Sequence, residues 1–131
     1  MGPLASEDFR ADADVPRDLL RVSVEDHPEG AVVTVTGEVD LHTSSTLRAA
    51  LDRALGGTAP VVVVDLSAVT FLSSSGLSAL VELRRGAESR ARAVRLVGDG
   101  RPVRRPLQAA GLVDLFTWYP DVAAAITSTD A

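Results

Sequence analysis

Pro60-Val61-Val62-Val63-Val64-Asp65-Leu66 runs through Ser67-Ala68-Val69-Thr70-Phe71-Leu72 into Ser73-Ser74-Ser75-Gly76-Leu77, and this stretch decides the fold. A strand with one wet face alternates apolar and polar side chains. Four consecutive valines do not, so Val61 to Leu66 is predicted to be a strand buried on both faces, at the centre of a sheet. Ser67 to Leu72 reads as a short connection whose Val69, Phe71 and Leu72 dip into the core. A helix then opens near Ser74 and runs to about Ala91, with Leu77, Leu80, Val81 and Ala87 on its inward side. One of the serines serves as its cap.

Upstream, Leu20, Val22 and Val24 alternate along a strand, His27 to Gly30 supply turn residues, and Ala31 to Thr36 form a second, β-branched strand, so the two make a hairpin. After Gly37-Glu38-Val39-Asp40, the apolar residues Leu47, Ala50, Leu51, Ala54 and Leu55 recur at helical spacing. Thr43 or Ser44 is the expected cap, and Gly56-Gly57 the stop. Downstream, Ala93 to Val97 is a strand and Gly98 to Gly100 a turn. Pro102 stands in the first turn of a helix whose Val103, Leu107 and Ala110 face inward. Leu115 to Tyr119 is a last short strand and Val122 to Thr127 a small helix over the sheet. The expected architecture is α/β: about five mixed, mainly parallel strands with packed helices, in the order ββαβαβαβα. Strand-helix-strand units of this length impose parallel pairing.

The 131 residues suit one domain. Residues 1–17 mix Asp, Glu, Ala, Gly and Pro without a period and are predicted to be a flexible tail, leaving 18–131 as the domain. The chain is 46% hydrophobic but only 4% aromatic, so the core must be built from Val, Leu and Ala. It has no cysteine, which excludes disulfides and thiolate metal sites. With His27 and His42 as the sole histidines, no metal or cofactor is expected. No apolar run reaches the ~20 residues of a membrane span, and the amino terminus lacks the pattern of a signal peptide, so a cytoplasmic protein without membrane insertion is expected. A formal charge of -5 disfavours nucleic acid as a partner. All thirteen basic residues are arginine. Arg101, Arg104 and Arg105, with Arg84, Arg85, Arg90, Arg92 and Arg95, read as a solvated face balancing nearby acids.

Enzymatic chemistry finds little support. The histidines lack the flanking motifs of a serine hydrolase. Gly98-Asp99-Gly100 is followed by Val103 where a dinucleotide fingerprint requires glycine. Asp65 ends a central strand as a phosphoacceptor aspartate would, but the lysine and acidic pair of such a site are missing. The serine run is different. It sits where a helix begins, beside unsatisfied amides and the positive end of the helix dipole, which favours an added phosphoryl charge by about 0.3 to 1 kcal/mol. Gly76 is expected to keep this mouth uncluttered.

Gly37-Glu38-Val39-Asp40-Leu41, Val64 to Leu72, Ser74-Ser75-Gly76-Leu77 and Leu112-Val113-Asp114-Leu115-Phe116 together resemble the signature of STAS domains of the anti-sigma-factor antagonist type, over about Leu20 to Thr127. The resemblance implies a partner-switching protein. Unmodified, such a protein binds an anti-sigma factor with serine-kinase activity and frees a sigma factor; phosphorylation of the serine before the glycine ends that binding, and a serine phosphatase would reset it. Carried onto this chain, the acceptor is Ser75, with Ser74 and Ser73 as secondary candidates. The implied partner surface comprises Gly37, Glu38, Asp40, Ser73, Ser74, Ser75, Gly76 and Leu77. The family usually has aspartate where this chain has Ser73. That departure keeps open an alternative, a STAS adaptor that docks without phosphorylation in a transport or signalling complex.

Overall fold

The computed structural model describes residues 20–129, so the predicted tail at 1–17 lies outside the described residues. Within them the chain forms β1 (Leu20–Asp26), β2 (Gly30–Val39), α1 (Ser44–Leu55), β3 (Val61–Leu72), α2 (Ser74–Glu88), β4 (Ala93–Val97), α3 (Arg101–Ala109), a 3₁₀ turn (Val113–Leu115), β5 (Thr117–Tyr119) and α4 (Val122–Thr127). The five strands form one sheet in sequential order. β1 and β2 pair antiparallel through the His27–Gly30 turn, and every later pairing is parallel. The predicted order and mixed sheet are those observed.

The valine run behaves as its lack of alternation requires. Val62 and Val64 enter a large core with Val33, Val35, Leu47, Leu51, Leu80, Leu83 and, from α3, Val103 and Leu107. Val61 and Val63 point the other way, into a smaller core with Val32, Val97 and Ala125 of α4. Among the described residues, one face of the sheet thus carries α1, α2 and α3, and the other the short α4. Fully burying one such side chain contributes ~1.5 to 3 kcal/mol, so this two-sided strand is the principal anchor of the domain.

The expected connection at Ser67 to Leu72 is instead the second half of β3. β3 has 12 residues where β2 has 10. Two residues of β3 therefore lack an opposite number, one where the pairs Thr34–Asp65 and Thr36–Ala68 are separated, the other between Gly37–Val69 and Glu38–Phe71. A β-bulge advances the side-chain phase by one. The inward sequence accordingly runs Val62, Val64, Leu66, then Val69, then Leu72, all in the large core. Phe71 is turned out and is 50% exposed, not a core residue. Asp65 braces the first bulge by accepting from the Ser67 amide (3.0 Å) and hydroxyl (2.6 Å). Gly98, at φ 92°, lies against the same place: a Cβ there would overlap the Ser67 backbone.

Smaller differences have similar causes. α2 ends at Glu88, before the expected Ala91, with Arg92 folding its amide back onto Ala87 O. Leu77 and Val81 are half-buried beside a groove, while Ala79 and Leu83 fill the interface with the sheet. Ala110 is exposed. Leu115 belongs to the 3₁₀ turn that precedes β5. Two arginines are not part of a solvated face. Arg92 donates to the carbonyls of Ala54 and Leu55 in the last turn of α1 (3.3 and 2.6 Å) and to that of Ala59 in the loop beyond it (2.5 Å). Arg95 is 4% exposed and donates to Ala125 O and Ser128 O, its guanidinium 5.4 Å from the Tyr119 ring centroid.

Candidate functional site

The serine run closes the carboxyl end of β3 and opens α2. Ser73 is the N-cap residue: its backbone is extended (φ -83°, ψ 173°), its amide donates to Val39 O (2.8 Å) and its carbonyl accepts the Leu77 amide (3.0 Å). Its hydroxyl, however, makes no cap bond and is buried without a partner among the described residues. Ser74 is exposed and Ser75 half-buried. The first turn of α2 contains no acid, so no carboxylate of that turn already compensates the positive end of the helix dipole.

Gly76 has a different role from the one expected. It is buried, and a Cβ on it would fall 2.5 Å from Leu72 Cδ1 and 2.8 Å from Val39 Cγ1. The missing side chain lets α2 start directly against the ends of β2 and β3. What it provides is close approach, which in turn fixes where Ser74 and Ser75 emerge.

The strand pairing brings the second predicted segment to the same end of the sheet. Glu38 and Val39 lie opposite Phe71 and Leu72, and Gly37 takes φ 110° at the second bulge. Beyond Val39 the chain makes a tight turn into α1. Asp40 Oδ1 accepts the amides of His42 and Thr43, both at 2.9 Å, the Asp40 amide donates to Thr43 Oγ1 (2.9 Å), and that hydroxyl donates to Glu38 O (2.9 Å). The Thr43 amide, aided by the Thr43 hydroxyl and the His42 amide, holds the Asp40 carboxyl below the usual carboxylate range despite a smaller opposing effect of desolvation. Thr43 is the N-cap residue of α1 but its side chain does not cap; the Asp40 carboxylate ties down the turn instead. Asp40 therefore shapes the loop from within.

That turn pushes Leu41 outward to 74% exposure, and together with Phe71 it places two large apolar side chains at the end of the sheet where α2 begins. Sequence reasoning did not single out either as a site residue. Leu41 could have been noticed as an apolar residue stranded between Asp40 and His42; Phe71 could not, because the bulge that rotates it outward leaves no mark on the local pattern. Beside the mouth, Ser74, Leu77, Ser78, Val81, Glu82, Arg85, Ala110 and Leu112 line an open groove between α2 and the end of α3. On the other side α1 contributes Arg48, which pairs with Glu82 and reaches Ser75 O at 3.4 Å. The predicted residues from Gly37 to Asp40 and Ser73 to Leu77 thus come together at one end of the molecule. Among the described residues no group of three or more His, Asp or Glu could hold a metal ion, and no helix is long and apolar enough to cross a membrane.

Comparison with known proteins gives a consistent picture. The family model for the STAS domain matches residues 21–125. The anti-sigma-F factor antagonist RsfB of Mycobacterium tuberculosis is 34% identical over 112 residues, covering 84% of this chain and 89% of the relative. The crystal structure of an anti-sigma factor antagonist from Mycobacterium paratuberculosis superimposes with a TM-score of 0.76 at 35% identity, covering 86% of this chain and 95% of that one. The Bacillus cell fate determinant SpoIIAA in its phosphorylated form shares the fold, with a TM-score of 0.63 at 23% identity and coverage of 79% and 96%.

Proposed function

The chain belongs to the STAS domain family, and from that membership we propose that it is an anti-sigma factor antagonist: a binding protein, not an enzyme, whose unmodified form captures an anti-sigma factor and thereby releases a sigma factor. The partner is a serine kinase that phosphorylates Ser75, and a serine phosphatase restores the binding form. The docking surface is formed by Gly37, Glu38 and Asp40 with Ser73 to Leu77, to which Leu41 and Phe71 add apolar contact area. The observation that carries this reading is the exposed Ser74 and half-buried Ser75 in a first helical turn that holds no acid, on the same end of the sheet as two exposed apolar side chains. Exposed apolar residues beside polar groups are the usual makings of a partner site.

A phosphoryl group on Ser75 would bring about -1.5 to -2 charges to this surface. The helix end tolerates them, so the fold persists, whereas a partner seated over Leu41 and Phe71 would have to desolvate them. Each ~1.4 kcal/mol of that cost weakens binding tenfold. Incubation with the cognate anti-sigma kinase and ATP is expected to add one phosphate at Ser75. Ser75→Ala should keep kinase binding and Ser75→Asp should lose it. Equal binding by both variants would overturn the switch and favour the adaptor alternative.

A further inference from the structure

Ser75 and Glu82 are seven residues apart on α2. At 100° per residue they lie within about 20° of the same stripe, separated by roughly 10 Å along the axis. A helical glutamate side chain leans toward the N-terminus, which brings the Glu82 carboxylate back toward Ser75. Arg48, from the neighbouring helix α1, occupies the space between: Nη1 pairs with Glu82 Oε1 while Nη2 reaches Ser75 O at 3.4 Å. One guanidinium therefore pairs with the Glu82 carboxylate at one end of the stripe and meets the main-chain carbonyl of Ser75 at the other. Its side chain is 34% exposed and that of Glu82 60%, so the pair is a solvent-screened one that a stronger anion can displace.

We propose that Arg48 is the internal receptor for a phosphoryl group on Ser75, exchanging Glu82 for the phosphate when the serine is modified. This rests on Ser75 being the phosphorylated residue. In that modification Ser75 Oγ forms the new bond to the γ-phosphorus of ATP, the bond from that phosphorus to ADP breaks, and the hydroxyl proton leaves to the kinase's base. The dianion offers a guanidinium two charge-assisted hydrogen bonds at higher charge than one carboxylate does, so it competes with Glu82 for Arg48. The exchange has two consequences. The phosphate is held against α1 instead of projecting freely, and Glu82, on the rim of the groove between α2 and α3, is left unpaired by Arg48. The charge change at Ser75 is thereby relayed two turns along α2 into that groove, and Arg48 acts as a positioning residue for the switch.

The test uses full-length protein with phosphoserine inserted at position 75 during translation, so that no kinase is needed. The second ionisation of the phosphate is followed by phosphorus NMR in three backgrounds: Arg48 present, Arg48→Gln and Glu82→Gln. The helix terminus acts equally in all three and cancels. Arg48→Gln is expected to raise the phosphate pKa by about 0.5 to 1 unit, since a nearby cation favours the dianion. Glu82→Gln, which removes the competing carboxylate, is expected to lower it. Amide spectra confirm that each variant is folded, and a purely structural role for Arg48 would leave the phosphate ionisation unmoved. Identical phosphate pKa values with and without the Arg48 guanidinium would overturn the proposal. Failure of the kinase to modify Ser75 would count against the proposed function, and it is read from a separate experiment.

Discussion

Replacing Gly76 by alanine tests whether this glycine exists for backbone approach or for flexibility. The added Cβ would lie 2.5 Å from Leu72 Cδ1 and 2.8 Å from Val39 Cγ1. Leu72 is 4% exposed and Val39 0%, so neither can swing into solvent, and the helix must back away from the sheet. Overpacking of this kind costs about 1 to 3 kcal/mol. Alanine recovers up to about 1 kcal/mol of helix propensity, less in a first turn, leaving a net loss of about 1 to 2 kcal/mol. Gly86→Ala is the matched comparison. Its Cβ would also meet a leucine, Leu55 Cδ2 at 2.5 Å, but Leu55 is 9% exposed at the rim of the α1–α2 contact, and its methyl has somewhere to go. That variant should stay within about 0.5 kcal/mol of wild type, because the propensity gain offsets the shift. Urea unfolding followed by the fluorescence of Trp118, the single tryptophan, measures both. At a slope of about 1 to 2 kcal/mol/M, the Gly76→Ala midpoint should fall by roughly 1 M with the slope unchanged. A Gly76→Ala protein as stable as wild type would refute the close-packing account and return Gly76 to the role of an open, permissive position.

Ser73→Ala should leave stability unchanged within about 0.5 kcal/mol, although loss of a serine cap ordinarily costs ~1 kcal/mol, because the hydroxyl is buried and has no partner among the described residues; a full capping loss in the same urea assay would show a partner. Asp40→Asn should lower the urea midpoint at pH 7 and converge with wild type in acid. The folded carboxyl titrates below the ordinary aspartate value, so its contribution is complete above that ordinary value and disappears as pH falls through the depressed folded value; a difference that persists at pH 2 would contradict this. Arg92→Met should destabilise by about 2 kcal/mol and speed amide exchange in the last turn of α1, whose carbonyls Arg92 holds, while unchanged exchange there would show that water serves those groups equally well.

Much of the fold was legible because it depends on short-range pattern. The alternation of Leu20, Val22 and Val24, the spacing of Leu47, Leu51 and Ala54, and the unbroken Val61 to Val64 each report a different kind of burial, and each was found as expected. The second half of β3 was misread because two bulges shift its phase at 66–67 and again at 70, so that no single period describes it. Arg92 and Arg95 looked like surface charge because a side chain that satisfies distant carbonyls carries no local signature. The candidate site divides in the same way. Gly37 to Asp40 and Ser73 to Leu77 were visible as motifs, but Leu41 and Phe71 owe their exposure to a turn and a bulge.

By itself the sequence determined the order of elements, the central strand, the absence of thiol chemistry and the serines at the head of a helix, since these depend on composition and on neighbours within a few residues. Only the tertiary structure decided what surrounds those serines. The parallel pairing of β2 with β3 carries Glu38 and Val39 to the helix mouth, Gly76 admits α2 against the side chains of Val39 and Leu72, and the packing of α1 beside α2 sets Arg48 between Ser75 and Glu82. The long-range contacts among them join residues 27 to 37 positions apart, and the geometry that closes them arises only when the whole core is packed.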